Sequence, residues 1–229
     1  MIRWQAPGPY RVGFTTRRGG VSSGAFASLN LGGRGDDAAA VAENRRIACA
    51  ELGVEHERLV LNRQRHTATV RRARQGATPQ VADALWTDEP GLPLAALVAD
   101  CVPIAIVATS GPPALAVVHA GWRGLAAGVV AAARAALGTH PAAAVVGPAI
   151  GPCCYRVGPE VSSRFDPDLT RGGFLDLWEA AARALERAGV GRVDCLELCT
   201  RCNPELFFSY RAGAAAGYGS QGVIGALER

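Results

Sequence analysis

Apolar residues form long continuous runs in the middle of the chain and spaced, helical patterns on either side. Three runs rich in Val, Ile, Leu and Ala occupy residues 93–99, 102–108 and 114–119. Continuous runs of this length are typical of strands that are covered on both faces. Ser110-Gly-Pro-Pro113 forms a turn between the last two runs, which argues against a membrane-spanning segment. The centre of the chain is therefore predicted to be a buried sheet.

Helical patterns flank this predicted sheet. The first helix begins after Asp36 or Asp37, either of which can cap it, and ends at Gly53. An alanine-rich helix is predicted at roughly 124–137 and an amphipathic helix at about 173–188. Further extended segments are predicted within 10–31 and at 58–62, 66–72, 143–147 and 193–198, and a glycine- and alanine-rich tail after Tyr210 closes the domain.

Strands and helices are mixed without strict alternation, so the pattern predicts one α/β or α+β domain over residues 1–229. A chain of 229 residues, 49% hydrophobic and 19% charged, can bury a large core. The N-terminal segment Met1–Pro9 lacks the apolar stretch of a signal peptide, which predicts a cytoplasmic protein. Seven cysteines then indicate free thiols, metal ligands or a nucleophile rather than a disulfide framework.

Arginine supplies all 24 basic residues, because the chain contains no lysine. This excludes a Schiff-base lysine and a phosphate-loop lysine, so any anion is bound by arginine or by backbone amides. An arginine-rich stretch surrounds His66, at positions 63, 65, 71, 72 and 74. It is either a solvated face or a surface that attracts an anionic substrate. No nucleic-acid-binding module is present, so a small molecule is the expected partner.

Three residues at the ends of predicted strands are the best candidates for chemistry: His66, Cys101 and His119. The other two histidines, His56 and His140, lie in polar segments and are expected to be exposed. Cys101 alone would be compatible with a small buried apolar residue. Asp100 beside it is harder to explain that way, because a carboxylate in an apolar segment needs a partner or a functional reason.

His119 begins the segment His119-Ala-Gly-Trp-Arg-Gly124, in which a strand runs through a glycine turn into a helix. Backbone amides at such a turn, together with the guanidinium of Arg123, can bind an anion such as phosphate. Two histidines and a cysteine can hold zinc and leave a fourth position open. The same residues can instead form a thiolate nucleophile with a histidine base, and the residue types leave both alternatives open.

Two further cysteine pairs are less specific. Cys153 and Cys154 are adjacent, and adjacent cysteines rarely form a disulfide with each other. The simpler interpretation is that both thiols only pack within the fold. Cys199-Thr-Arg-Cys202 has the spacing of a zinc or redox pair, but no second Cys-x-x-Cys is present. Structural thiols are therefore the expectation for all four.

Specific short motifs are spread over nearly the whole chain: Thr16-Arg-Arg-Gly-Gly-Val-Ser22, Ser28-Leu-Asn-Leu-Gly32, Val41-Ala-Glu-Asn-Arg45, Ala82-Asp-Ala-Leu85, Thr87-Asp-Glu-Pro-Gly91, Ala99-Asp-Cys-Val-Pro103, Val118-His-Ala-Gly-Trp-Arg-Gly124, Gly147-Pro-Ala-Ile-Gly-Pro-Cys-Cys-Tyr155 and Cys199-Thr-Arg-Cys-Asn-Pro-Glu-Leu-Phe-Phe-Ser-Tyr-Arg211. With these motifs the chain resembles the polyphenol oxidase or laccase-like (YfiH-like) family. Members of that family are variously described as multi-copper oxidoreductases, purine nucleoside phosphorylases and peptidoglycan editing factors.

The resemblance implies a layered α/β/β/α fold with mixed sheets, related to that of cysteine-dependent toxin deamidases. It implies zinc bound by His66, Cys101 and His119, with copper as the other candidate metal. Four histidines cannot supply both a blue-copper site and a trinuclear copper cluster, so multi-copper oxidation by this chain alone is rejected. Arg65 and Thr67 stand where the family has Val and Gly, a departure that predicts altered pocket access or substrate choice.

The leading hypothesis from the resemblance is a zinc-dependent enzyme of purine nucleosides. It would carry out phosphorolysis of adenosine, inosine or methylthioadenosine, and deamination of adenosine. Cys101, Asp100 and Arg123 are the predicted catalytic residues, with Asp100 as the proton carrier. The predicted substrate-binding residues are Arg17, Asn30, Gln64, Gly121 and Gly124.

Two other hypotheses belong to different functional classes. One is an amide hydrolase that edits peptidoglycan precursors, with Cys101 as ligand or nucleophile. The other is a non-catalytic zinc-binding module, which predicts a closed site of four ligands that includes Cys199 and Cys202.

Overall fold

The computed structural model describes residues 1–76, 78–213 and 217–229. Twelve strands lie in these residues: β1 (Ile2–Trp4), β2 (Tyr10–Phe14), β3 (Val70–Arg72), β4 (Ala84–Thr87), β5 (Leu94–Val98), β6 (Val102–Ala108), β7 (Leu115–Ala120), β8 (Ala142–Val146), β9 (Thr170–Arg171), β10 (Phe174–Leu175), β11 (Arg192–Cys195) and β12 (Gln221–Leu227). The α-helices of the same residues are α1 (Ala38–Leu52), α2 (Trp122–Ala126), α3 (Val129–Ala136), α4 (Pro159–Ser162), α5 (Leu177–Arg187) and α6 (Tyr210–Gly213).

The strands form two main sheets and one small hairpin. The larger sheet has the order β11-β8-β6-β7-β4-β3, in which the β11–β8 and β3–β4 pairs are parallel and the central pairs are antiparallel. The smaller sheet has the order β1-β2-β12-β5 and is antiparallel throughout. The three apolar runs of the sequence become β5, β6 and β7, which confirms the predicted buried strands.

The two sheets pack face to face, and helices cover their outer faces. An apolar cluster that includes Phe14, Leu115 and Val223 fills the space between the sheets. On the outer face of the larger sheet, α3 and α5 bury residues such as Val130 and Leu185. On the outer face of the smaller sheet, α1 packs its buried residues against β5 and β12. The result is a mixed α/β domain with the layer order α/β/β/α.

Local signals account for the helix ends that the sequence predicts. The side chain of Asp37 accepts a hydrogen bond from the backbone N–H of Ala40 at 2.9 Å and so caps α1. Gly53 ends this helix with a φ of 79°, a left-handed conformation that glycine adopts without strain. Gly128, with a φ of 85°, interrupts the predicted alanine-rich helix and divides it into α2 and α3.

Two sequence predictions are wrong in detail, and one strand of the smaller sheet is not predicted. Residues 58–62 do not form a strand, because Val60 makes only an isolated bridge to Leu94. The helix predicted at 173–188 begins only at Leu177, since the β9–β10 hairpin precedes it and turns at Gly172-Gly173. The glycine- and alanine-rich tail contains β12, an inner strand of the smaller sheet. Within the described residues, no helix combines the length and apolar character needed to cross a bilayer.

Candidate functional site

The three candidate residues converge at one end of the larger sheet. Cys101 directly precedes β6, His119 lies near the end of β7, and the antiparallel register pairs Pro103 with His119. His66 reaches the same point from the loop before β3. The Cys101 Sγ atom lies 3.7 Å from Nε2 of His66, and the two imidazole rings are 4.7 Å apart at an angle of 73°. One ligand atom from each of the three residues lies within 4.8 Å of the others, so the group can hold a metal ion.

Asp83 organises this group from beneath, although sequence reasoning did not single it out. Its buried carboxylate accepts hydrogen bonds from the backbone N–H groups of Arg65, His66 and Thr67, and from the hydroxyl of Thr67. A fifth donor is Nδ1 of His119, at 2.8 Å. The one signal in the sequence is a carboxylate within the apolar segment that leads into β4.

Two residues of the site adopt a left-handed backbone conformation that is uncommon for residues other than glycine. His66 has a φ of 60° and Asp100 a φ of 84°. Such conformations cost about 1–3 kcal/mol each and persist where the surroundings enforce them. Asp83 enforces the His66 loop through its hydrogen bonds, and the carboxylate of Asp100 is held by three donors. Strain of this kind clusters at functional sites.

The electrostatics of the group favour an ion pair. Burial opposes ionisation of Cys101, but the positive charge of His119 and hydrogen bonds from both imidazoles outweigh it and lower the pKa of the thiol to about 6. Burial also disfavours the His119 imidazolium, but the Cys101 thiolate and Asp83 raise its pKa to about 9. Hydrogen bonds from His119 and Thr67 outweigh the burial of Asp83 and hold its pKa well below the usual value. At neutral pH the site therefore holds a Cys101 thiolate and an Asp83 carboxylate on either side of the His119 imidazolium.

Position 121 requires glycine, because Cys101 and His66 lie too close to its backbone to leave room for a side chain. A Cβ atom at this position would lie 2.8 Å from Sγ of Cys101 and 2.8 Å from Cδ2 of His66. Gly124 instead allows α2 to pack against Val129 and the backbone of Thr67. Gly121, which precedes α2, and Gly124 within it are thus explained by close packing, and anion binding by the backbone amides of this turn stays a prediction.

A cavity of about 180 Å³ opens beside Cys101 and His66. Its walls contain three aromatic side chains and two arginines: Trp122, Tyr155, Tyr210, Arg123 and Arg211. The Arg123 guanidinium stacks over Trp122 at 4.2 Å, and that of Arg211 over Tyr155 at 5.0 Å. Stacking holds both charges at the cavity. Burial and the charge of Cys101 raise the pKa of Tyr155 to about 12, so its phenol stays protonated at neutral pH.

Asp100 also lines the cavity, but its carboxylate is already engaged. It accepts hydrogen bonds from the hydroxyl groups of Thr200 at 2.6 Å and Ser209 at 3.0 Å, and from the backbone N–H of Arg211 at 2.7 Å. These hydrogen bonds favour a positioning role for Asp100, which joins the turn at Cys101 to the segment that carries Arg211. Proton transfer by Asp100 stays a prediction.

None of the five residues predicted to bind substrate is among those that line the cavity, and three of them are engaged elsewhere in the protein. Arg17 donates to the carbonyl groups of Ala27 and Pro204 and stacks over Phe208. Buried Asn30 donates to Asp36 and to the carbonyl of Gly32 and accepts from Ser220, and Gln64 exchanges two hydrogen bonds with the backbone of Leu97. Their polar atoms are engaged within the protein, and their role in substrate binding stays a prediction.

The remaining predicted residues are placed as follows. Arg65 is exposed next to the site, and its backbone and that of Thr67 are bound by Asp83. His140 is exposed and His56 half-buried. Cys199 and Cys202 do not join the His66 group; they form a separate group with Cys153 and Cys154. A closed site of four ligands that includes Cys199 and Cys202 therefore stays a prediction, with Cys153 and Cys154 as the neighbouring candidates.

The layered fold and the Cys-His-His group beside a cavity define a class of mixed α/β proteins with a candidate metal centre at the strand ends. Comparison with known proteins identifies the family. The family described as "Multi-copper polyphenol oxidoreductase laccase" matches residues 11–227, and the chain belongs to it. The resemblance seen in the sequence motifs is thus confirmed.

Relatives and solved structures cover most of the chain. A relative from Geobacillus stearothermophilus named purine nucleoside phosphorylase YlmD is 38% identical over 87% of this chain and 84% of its own. Another from Streptomyces coelicolor, named purine nucleoside phosphorylase SCO2081, is 41% identical over 90% of this chain and 93% of its own. The crystal structure of the Neisseria meningitidis protein NMB0706 has a TM-score of 0.89 at 35% identity, over 99% of this chain and 97% of that one.

Proposed function

We propose that this protein is a zinc-dependent enzyme that acts on purine nucleosides. The proposed reactions are phosphorolysis of adenosine, inosine or methylthioadenosine, and deamination of adenosine. The names of the relatives support a nucleoside-processing enzyme. The observation that carries the proposal is the Cys-His-His group opening on a cavity with aromatic walls and two arginines.

The donor set fits zinc. Cysteine sulfur and histidine nitrogen are preferred zinc ligands, and three protein ligands with an open position are typical of catalytic sites. Because Asp83 accepts from Nδ1 of His119, the other ring nitrogen is the one that faces Cys101 and would bind a metal after losing its proton, and such a carboxylate–histidine pair is typical of zinc sites. When bound by His66, Cys101 and His119, zinc would supply a Lewis acid beside the cavity. Copper suits the same ligand types and is the alternative metal.

The residues of the cavity suit both parts of a nucleoside and its co-substrate. Trp122, Tyr155 and Tyr210 offer aromatic faces on which a purine can stack. Arg123 and Arg211 offer planar donors for phosphate, a role that falls to arginine in a chain without lysine. In phosphorolysis the bond between the purine nitrogen and C1′ of the ribose breaks, and a phosphate oxygen forms a bond to C1′. The phenol of Tyr155, protonated at neutral pH, is the proposed hydrogen-bond donor to the departing base.

The test measures both reactions on one set of variants. Purified protein loaded with zinc is incubated with adenosine, with and without phosphate, and adenine, ribose 1-phosphate and inosine are quantified by chromatography. We expect adenine and ribose 1-phosphate only with phosphate, and loss of all products in Cys101→Ala. Cys195→Ala, a cysteine outside both cysteine-containing groups, is the matched control. Wild-type turnover by zinc-free Cys101→Ala contradicts the proposal.

A second candidate function is favoured by one specific observation. Cys101, His119 and Asp83 form a series of thiolate, imidazolium and orienting carboxylate, which is the arrangement of a cysteine nucleophile with its base. This supports the amide hydrolase alternative and keeps the implied relation to toxin deamidases as a prediction. Its substrate would be a peptidoglycan precursor with serine in place of the first alanine. A nucleophile acts without metal, so cleavage that persists in chelator would support this candidate over the zinc enzyme.

A further inference from the structure

The second group of cysteines lies on two neighbouring turns. Cys153 and Cys154 belong to the turn that follows Gly151, whose carbonyl accepts hydrogen bonds from the N–H groups of Cys154 and Tyr155. Cys199 and Cys202 belong to a turn after β11. A parallel bridge between Ala149 and Cys199 holds the two turns side by side.

The four sulfur atoms converge on one point. One Sγ atom from each cysteine lies within 4.8 Å of the other three. Sγ of Cys202 is 3.5 Å from that of Cys153 and 3.4 Å from that of Cys154, so it is shared between two partners rather than paired with one. A zinc ion with four bonds of ~2.3 Å to sulfur places neighbouring sulfurs about 3.8 Å apart. Small adjustments of the four side chains would therefore complete a tetrahedron.

One backbone group is also placed to support a metal-bound sulfur. The backbone N–H of Gly151 donates to Sγ of Cys199 at 3.3 Å, a contact that stabilises a metal-bound sulfur. Cys199 is buried, whereas Cys153 and Cys202 are exposed, so an ion can enter without unfolding of the domain. Four sulfurs drawn to a single point indicate a mononuclear ion rather than an iron–sulfur cluster, whose cysteines bind separate irons.

We propose that Cys153, Cys154, Cys199 and Cys202 form a second, structural zinc site with four thiolate ligands. Binding releases the protons of the thiols, and the zinc stays divalent, so no oxidant or reductant takes part. A site with four protein ligands has no open position and therefore stabilises structure.

The site fastens the two turns that support the cavity. Tyr155, which lines the cavity, directly follows Cys154. Thr200, which donates to Asp100, directly follows Cys199. Loss of this zinc would therefore loosen the cavity wall and the turn that carries Asp100, while all three ligands of the first metal centre, His66, Cys101 and His119, are kept. This inference stands independently of the proposed reaction.

The test counts metal in protein purified anaerobically from zinc-supplemented cells, by inductively coupled plasma mass spectrometry. We expect two zinc ions per chain in the wild type, one in Cys202→Ser, one in Cys101→Ala and none in the double variant. Cys195→Ser is the matched control and should keep two. Equal zinc content in the wild type and Cys202→Ser overturns the proposal.

A spectroscopic arm does not depend on the folding of the Cys202 variant. In Cys101→Ala reconstituted with cobalt, four thiolates predict intense sulfur-to-cobalt charge-transfer bands and strong tetrahedral d–d absorption. Weak octahedral absorption, or a disulfide of Cys202 with Cys153 or Cys154 mapped by mass spectrometry in the same anaerobic protein, overturns the second site. Neither readout requires activity, so failure here is distinguishable from failure of the proposed nucleoside reaction.

Discussion

Oδ1 of Asp83 lies 2.8 Å from Nδ1 of His119, and the same carboxylate binds the backbone of the His66 loop. One side chain thus sets the position of two of the three residues in the candidate metal centre. Carboxylates that orient a metal-binding histidine typically change metal affinity by 10–100-fold when they are replaced.

Asp83→Asn should therefore weaken zinc binding by about 10–100-fold. The asparagine cannot accept from all the donors around it, so both the imidazole and the His66 loop lose their orientation. Competition with a chromophoric chelator measures the affinity. Asp88→Asn, which removes an exposed ion pair with Arg72, is the matched control and should bind zinc as the wild type does. Wild-type affinity in Asp83→Asn would show that the carboxylate does not orient the group.

Cys101 should react as a thiolate at neutral pH in zinc-free protein. Its pKa is lowered to about 6, so the reactive form predominates above that pH and disappears as the pH falls below it. Alkylation by iodoacetamide, followed by peptide mass spectrometry from pH 5 to pH 9, should give a midpoint near 6.

His119→Gln removes the main positive charge beside the sulfur and should move this midpoint upward. Cys195, whose pKa is raised by burial, serves as the internal control because it should alkylate slowly. A Cys101 midpoint at or above that of an ordinary thiol, about 8.5, would contradict the ion pair.

Gly121→Ala should disrupt the metal centre without removing a ligand. The added methyl group would meet both Cys101 and His66 at 2.8 Å, and the overpacking should cost about 1–3 kcal/mol of folding stability. Zinc content per chain and thermal unfolding measure the two effects. Gly33→Ala is the control, because a Cβ there meets no atom within 4 Å. Full zinc content in Gly121→Ala would mean that the group tolerates the displacement.

Arg123→Ala and Arg211→Ala should each raise the KM for phosphate more than the KM for nucleoside. Charge-assisted hydrogen bonds contribute about 1.5–3 kcal/mol, so a roughly tenfold to hundredfold rise is expected. Initial rates at varied phosphate concentration measure it. Arg187→Ala, an exposed residue paired with Asp166, should leave both constants unchanged. An unchanged phosphate KM in both cavity variants would place the phosphate elsewhere.

Sequence reasoning reached the three central residues because each is a chemically distinctive side chain next to a predicted strand end. The buried strands β5, β6 and β7 could also be predicted from the sequence, since continuous apolar runs indicate burial on both faces. Strand β12 was not predicted, because Gly222 and Gly225 interrupt its run of apolar residues. The structure requires glycine at both positions, since a Cβ atom there would clash with Ala96 or Leu115 of neighbouring strands.

Hydrogen bonds between residues far apart in the chain could not be predicted from the sequence either. Asp83 and His119 are 36 residues apart, and nothing local marks them as partners. Arg17, Asn30 and Gln64 have the polar groups of substrate-binding residues, but the fold uses those groups to join backbone segments. Whether a polar side chain faces a ligand or the protein depends on tertiary contacts.

Strand β12 gives the smaller sheet an unusual order of assembly. It lies between β2 and β5, and the hydrogen bond between Thr15 and Gly222 spans 207 residues. During synthesis, β2 leaves the ribosome long before its partner, so the edges of β2 and β5 that pair with β12 stay unpaired until β12 has emerged. Contacts over such separations form slowly, and unpaired edges invite aggregation. Displacement of β12 from the folded domain would expose the same two edges.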